Sequence, residues 1–169
     1  MAPIAVIDFE TTGLSPAMGD RATEVAIVLV QGGRVVDRFQ SLMNAGIRVP
    51  SFITQLTGIS NAMVAAAPDA ARVMAQARAF VGNAPMVAHN ATFDSKFWQA
   101  ELAHAGLSTA FEAPQLFACT LLLSRRLYPQ APNYKLGSLV DYHHLPGIGG
   151  RTGQSGVCVA VQPGGCGGG

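Results

Sequence analysis

The sequence predicts an α/β fold, a mixed sheet that begins with an antiparallel hairpin and continues as alternating strands and helices. Three observations carry this. Two β-branched runs, 22–31 and 34–42, are separated by Gly32-Gly33 alone, the two-residue pattern of a tight hairpin. From about residue 50, short apolar runs alternate with helical segments bounded by Gly and Pro, an order that lays helices against a sheet. A chain of 169 residues that is 49% apolar is long enough for one domain with a real core.

Residues 4–9 (Ile4-Ala-Val-Ile-Asp-Phe9) read as the first strand, with turn signals at Thr11-Thr-Gly13 and Ser15-Pro16. The hairpin runs follow, so the first three strands are expected to be neighbours, the second and third antiparallel. Residues 51–56 read as a short helix ending at Gly58. Pro68 opens an alanine-rich helix that reaches about residue 81 and is ended by Gly82. Residues 86–88 form a short strand, 92–105 a helix stopped by Gly106, 116–118 a strand and 120–127 a helix. A last helix, 135–143, precedes Pro146. From Gly147 to Gly169, ten of 23 residues are glycine and no Asp, Glu, Phe, Tyr or Trp occurs. That composition is expected of a disordered tail, so the domain is placed at 1–146 and the tail at 147–169.

Asp8 and Glu10 are the most informative residues. They stand two apart in an apolar strand, and side chains at i and i+2 of a strand share a face. Two such charges repel and resist burial unless a cation neutralises them. Hard oxygen ligands of this kind point to a divalent ion, Mg²⁺ or Mn²⁺. A third carboxylate comes in Val87-Ala-His-Asn-Ala-Thr-Phe-Asp94, where a short strand leads into a helix that carries Asp94 on its first turn. That junction can aim Asp94 back at the end of the first strand.

Composition narrows the function classes. Charged residues make up only 12% and the net charge is +1, so there is no global case for or against a nucleic-acid binder. Cys119, Cys158 and Cys166 lack metal-ligand spacing, and an odd count suits reduced cytoplasmic thiols. No targeting segment is read at the N-terminus, and no apolar run reaches the ~18 residues of a membrane span.

Ile7-Asp-Phe-Glu-Thr-Thr-Gly13 resembles the first motif of the DnaQ-like (DEDDh) 3′→5′ exonucleases, the family of the proofreading epsilon subunit of bacterial DNA polymerase III. His89-Asn-Ala-Thr-Phe-Asp94 resembles their second motif, and Leu56-Thr-Gly-Ile-Ser60 their short Thr/His-Gly-Ile segment between the two. The likeness covers roughly residues 4–146 in the right order. It implies a ribonuclease H-like fold, with hairpin strands first and helices on the faces of the sheet. It also implies two divalent metal ions, Mg²⁺ or Mn²⁺, about 4 Å apart, that clamp the attacking and leaving oxygens of a phosphodiester. By resemblance Asp8 bridges both ions, and Glu10 and Asp94 complete their shells. The backbone around Phe9, Thr11 and Thr12 holds the 3′-terminal nucleotide, with Leu56, Asn90 and Phe93 near it. The implied activity releases nucleoside monophosphates from the 3′ end of single-stranded DNA or RNA, with a DNA polymerase as a further partner if the role is proofreading.

The chain departs from the family at its third motif. The family pattern asks for His-x-x-x-x-Asp on a last helix, some 15–20 residues beyond Lys135–Leu145. No acidic residue follows Asp141 and no histidine follows His144. The Tyr-x-x-x-Asp version fails as well, since Ser138 and Pro146 stand four residues after Tyr134 and Tyr142. Glu101, Glu112 and Asp141 are the substitute carboxylates, Asp141 reading as a solvated helix residue. The last helix is therefore expected to be missing, and the sequence from about Gly149 to be a shifted reading frame or an assembly artefact. If neither other frame of the gene encodes His-x-x-x-x-Asp, that idea fails. His89 reads as a structural, hydrogen-bonding residue, His143 and His144 as surface residues, and Arg125, Arg126, Lys96 and Lys135 as surface cations within reach of phosphates. The rival reading is a catalytically inactive module that binds a nucleic-acid 3′ end.

Overall fold

A computed structural model of the chain describes residues 2–107 and 115–145. Five strands, β1 (Ile4–Thr11), β2 (Ala22–Gln31), β3 (Arg34–Leu42), β4 (Met86–Ala88) and β5 (Phe117–Cys119), form one sheet in the order β3-β2-β1-β4-β5. β2 runs antiparallel to both of its neighbours, whereas β4 is parallel to β1 and β5 is parallel to β4. Six helices, α1 (Ser51–Thr57), α2 (Asn61–Ala65), α3 (Ala70–Val81), α4 (Ala91–His104), α5 (Thr120–Leu127) and α6 (Leu136–Tyr142), complete the described chain.

The β2–β3 hairpin closes because Gly32 and Gly33 both take positive φ, 58° and 76°. A two-residue turn of this kind matches the twist of the strands it joins, and glycine enters it without a Cβ penalty. β1 shows a strict alternation: Ala5, Ile7, Phe9 and Thr11 are buried, while Val6, Asp8 and Glu10 are half-buried. The buried set packs with Val25 and Ile27 of β2, Met86 of β4, Val73, Met74 and Ala77 of α3, and Phe97 and Trp98 of α4. Truncating a fully buried aromatic such as Phe97 typically costs about 3–5 kcal/mol, so this layer secures the α4 end of the site. Asp8 and Glu10 therefore leave from the reverse of the main core face. The pleat sends alternate residues of β1 to opposite sides of the sheet.

A second, smaller cluster of Val49, Ile53, Ile59 and Val64 packs against Leu42 at the end of β3. Leu42 is the register partner of Glu24, which is in turn the partner of Glu10. Partners share a face, so α1 and α2 sit beside the carboxylate side of the sheet.

Several boundaries differ from the expectations. β1 runs on to Thr11, and a 3-10 turn at Pro16–Met18 and the helix α2 were not anticipated. α2 has only five residues and is capped by Ser60, whose hydroxyl accepts from Met63 N at 3.2 Å. α3 starts at Ala70 and not at Pro68. Asp69 is its cap, accepting from Ala71 N at 2.9 Å and Arg72 N at 3.3 Å. Pro68 stands before that cap and gives its carbonyl to Asn44 N at 2.8 Å. Residues 147–169, with the predicted tail, and Glu112 lie outside the described residues. Among the described residues no helix is long and apolar enough to cross a membrane.

Candidate active site

Asp8, Glu10 and Asp94 come together where β1 outruns β4. Ala5 N donates to Pro85 O at 2.9 Å on the β4 side of β1. The N–H of Phe9 points to that same side, but β4 has ended at Ala88 and the chain has turned into α4. Asp94, on the first turn of α4, takes the place of the missing strand: Phe9 N donates to Asp94 Oδ1 at 3.1 Å, across 85 residues of sequence. The turn that makes this possible is Asn90, at φ 66° and ψ 51°. Asparagine is among the few residues that tolerate this left-handed conformation.

All three carboxyls are held above the ordinary carboxylate range, chiefly by burial. Burial pushes Asp94 up from 3.8 to about 7, with the charge of Asp8 adding to it and that of Glu10 adding less; hydrogen bonds from backbone N–H groups, Phe9's included, oppose the rise. Burial followed by the charge of Glu24 pushes Asp8 up to about 6. Glu10 rises to about 7 through burial, then Asp8, then Glu24. Among the described residues no cationic side chain forms an ion pair with any of the three. Nor do three His, Cys, Asp or Glu side chains among the described residues converge on one point. The cluster's chemistry still fits hard divalent ions: several carboxylate oxygens, partly dehydrated, in mutual repulsion and lacking a cation.

The residues expected near a nucleotide are placed as follows. The Phe9 ring belongs to the core, which leaves only its backbone to the site. Thr11 Oγ1 donates to Gly13 O at 2.6 Å, and Thr12 Oγ1 accepts from Arg21 N at 3.0 Å. Both hydroxyls thus brace the turn, and Thr12 N is used by Arg21 O at 2.9 Å. A Cβ at Gly13 would lie 2.3–2.5 Å from the Asp20 carboxyl atoms, so a larger residue would push Asp20 off the Ser15 N–H that it accepts at 3.0 Å. Asn90 is exposed, and Phe93 is half-buried with its ring 4.9 Å from that of Phe97. Leu56 is 71% exposed on α1, one turn from Phe52 at 64%, so the two form an apolar ridge that the rest of the described fold leaves open.

Of the substitute carboxylates, Glu101 and Asp141 are among the described residues. Glu101, 1% exposed, is held bidentately by Arg21 at 2.9 and 2.8 Å and accepts from Ala22 N at 2.9 Å. That is a buried structural ion pair. Asp141 is exposed on α6, as a solvated residue should be. His89 is structural, as expected. Its Nε2 donates to Tyr134 O at 2.8 Å, since a carbonyl can only accept, and its Nδ1 meets Thr120 Oγ1 at 3.0 Å. It ties the end of β4 to the start of α5 and to the segment before α6. The His143 ring packs edge-on to Tyr128 at 4.4 Å.

One residue went unnoticed in the sequence. Glu24 is directly opposite Glu10 in the β1–β2 register and only 7% exposed, and it accepts from Gln40 Nε2 at 2.7 Å. The signal was present, since Glu24 is the lone acid of the apolar run 22–30. Its meaning required the register.

Residues 5–150 match the RNase T exonuclease family. A DNA polymerase III PolC-type of Caldanaerobacter subterraneus subsp. tengcongensis is 39% identical over 140 residues, covering 83% of this chain and 10% of that protein. The 3′-5′ exonuclease DinG of Bacillus subtilis is 39% identical over 137 residues, 80% of this chain and 14% of that protein. The chain thus spans a small part of the curated relatives it matches. Among solved structures, Exonuclease X in complex with 5′ overhanging duplex DNA aligns with a TM-score of 0.67 at 28% identity, over 86% of this chain and 75% of that one. A structure of exonuclease I reaches 0.74 at 16% identity, over 86% of this chain and 36% of that one, a likeness of fold alone.

Proposed function

The chain belongs to the RNase T exonuclease family and has its ribonuclease H-like fold, and from that premise we propose that it is a metal-dependent 3′→5′ exonuclease. It releases nucleoside monophosphates from the 3′ end of a DNA or RNA strand. The observation that supports this most is the meeting of Asp8, Glu10 and Asp94 at the end of β1, with each carboxyl held above its ordinary range by burial and by neighbouring carboxylates. Residues 1–146 are the exonuclease domain and 147–169 a tail.

Asp8, Glu10 and Asp94 are the residues that would hold two divalent ions, Mg²⁺ or Mn²⁺. The chemistry such ions supply when bound is stabilisation of the charge that develops on the attacked phosphodiester. The Phe9 N–H fixes one oxygen of Asp94 and so orients the other. The braced turn at Thr11 and Thr12 presents its backbone to the terminal nucleotide. Leu56, with Phe52, offers an apolar surface to its sugar and base. The DNA-processing names of the relatives favour the cytoplasm as the place of action. The PolC-type relatives favour a role in proofreading beside a DNA polymerase.

One observation favours a second reading, a module that binds a 3′ end without turnover. His89 shares a crevice of about 180 Å³ with Asp8, yet both of its ring nitrogens are engaged, and the sequence has no acid after Asp141. Single strands labelled at either end, incubated with Mn²⁺, separate the two. Exonuclease action frees a labelled mononucleotide at once from the 3′-labelled strand only, whereas a binding module retains both strands intact. Release from the 5′-labelled strand first excludes the assigned polarity.

A further inference from the structure

Glu24 stands on β2 directly across from Glu10, on the face that carries Asp8. Side chains of directly opposed antiparallel residues have Cβ atoms about 4.5–5.5 Å apart, and like charges so placed are destabilising. Glu24 is more than nine-tenths buried and is held from its far side by Gln40 on β3, at 2.7 Å. The sheet thus spends two strands on keeping a fourth carboxylate behind Glu10. A neutral residue at position 24 would remove the repulsion between these directly opposed carboxylates and keep the strand pairing.

We propose that Glu24 is a positioning residue of the metal site: anchored by Gln40, it orients the Glu10 carboxylate toward the ions and adds a fourth negative charge to the field that holds them. The proposal rests on the metal-dependent reading above. Glu24 acts through Glu10 and not on the substrate. Supporting groups behind metal ligands typically change metal affinity by about 10–100-fold when removed.

The test uses Mn²⁺ binding by the full chain at pH 8, read from the electron spin resonance signal of free Mn²⁺, together with thermal unfolding in EDTA. Glu24→Gln keeps an oxygen for Gln40, removes the charge and puts an amide nitrogen in place of the other oxygen. It should weaken Mn²⁺ binding about 10–100-fold and leave the metal-free Tm equal or higher. In a Glu10→Gln background the same change should have little further effect, because the two act as one unit. Gln40→Leu, which frees Glu24 but leaves its charge, should weaken binding less than Glu24→Gln does. Unchanged Mn²⁺ affinity in Glu24→Gln, with Asp8→Asn strongly impaired, overturns the role of Glu24 alone. A metal-free Tm that falls along with the affinity shows a structural role and also overturns it. Equal Mn²⁺ binding by wild type and Asp8→Asn refutes the metal site itself, and the proposal with it.

Discussion

Asp94→Asn removes a buried charge while keeping the oxygen that receives the Phe9 N–H. The Asp94 carboxyl lies at about 7 in the folded chain against an ordinary 3.8, so ionising it at high pH costs the folded state on the order of 4 kcal/mol. Because the folded value is the higher one, the folded state holds this proton more tightly. The contribution of Asp94 to stability is best at low pH and is lost as pH rises between about 4 and 7. Asparagine avoids that loss but brings an amide nitrogen that must find a partner, which returns part of the gain. A net stabilisation of about 2 kcal/mol at pH 8 in EDTA is expected, or roughly 4–8 °C in Tm for a domain of this size. The gain should shrink steadily toward pH 4. Thermal unfolding of both proteins in EDTA across pH 4–8 measures it. If Asp94→Asn lowers Tm at pH 8 by as much as at pH 4, the carboxylate is only a cap for the strand and the repulsive cluster is refuted. With Mn²⁺ present the order should reverse, the wild type gaining more Tm than the variant.

Other consequences follow from the same geometry. Mn²⁺ affinity should climb steeply through pH 6–7 as Asp8, Glu10 and Asp94 give up their protons; a calorimetric titration that is flat over this range contradicts the assignment. Glu101→Ala leaves Arg21 unpaired and should cost about 3–5 kcal/mol in urea unfolding, with Mn²⁺ affinity of the folded protein unchanged. Loss of Mn²⁺ binding without loss of stability reverses that reading. His89→Ala should lower stability by about 1–3 kcal/mol through its two lost partners and still bind Mn²⁺; abolished metal binding in a folded variant makes His89 part of the centre.

Much of the sheet was legible because its signals are local. Gly32-Gly33 set the hairpin, and the β-branched runs on either side gave β2 and β3 to the residue. Asp8 and Glu10 were visible as charges in an apolar strand, and Asp94 as an acid at a strand-to-helix junction. What stayed hidden depends on contacts far apart in sequence. Glu24 gains its meaning from its register with Glu10, and the role of Glu101 from Arg21, 80 residues away. The placement of Asp8 on the reverse of the core follows from which face α3 and α4 cover, and periodicity alone does not choose between faces. At Pro68 the local rules compete, and the Asp69 carboxylate decides where α3 starts.

Release of mononucleotides from a 3′-labelled single strand, with Mn²⁺ and with an Asp8→Ala control, tests the central claim most directly. Mononucleotide release that requires Mn²⁺ and falls at least about 10²-fold in Asp8→Ala is the expected result. Release that survives Asp8→Ala or EDTA, or a chain that binds the strand and leaves it intact, contradicts a three-carboxylate exonuclease centre at the end of β1.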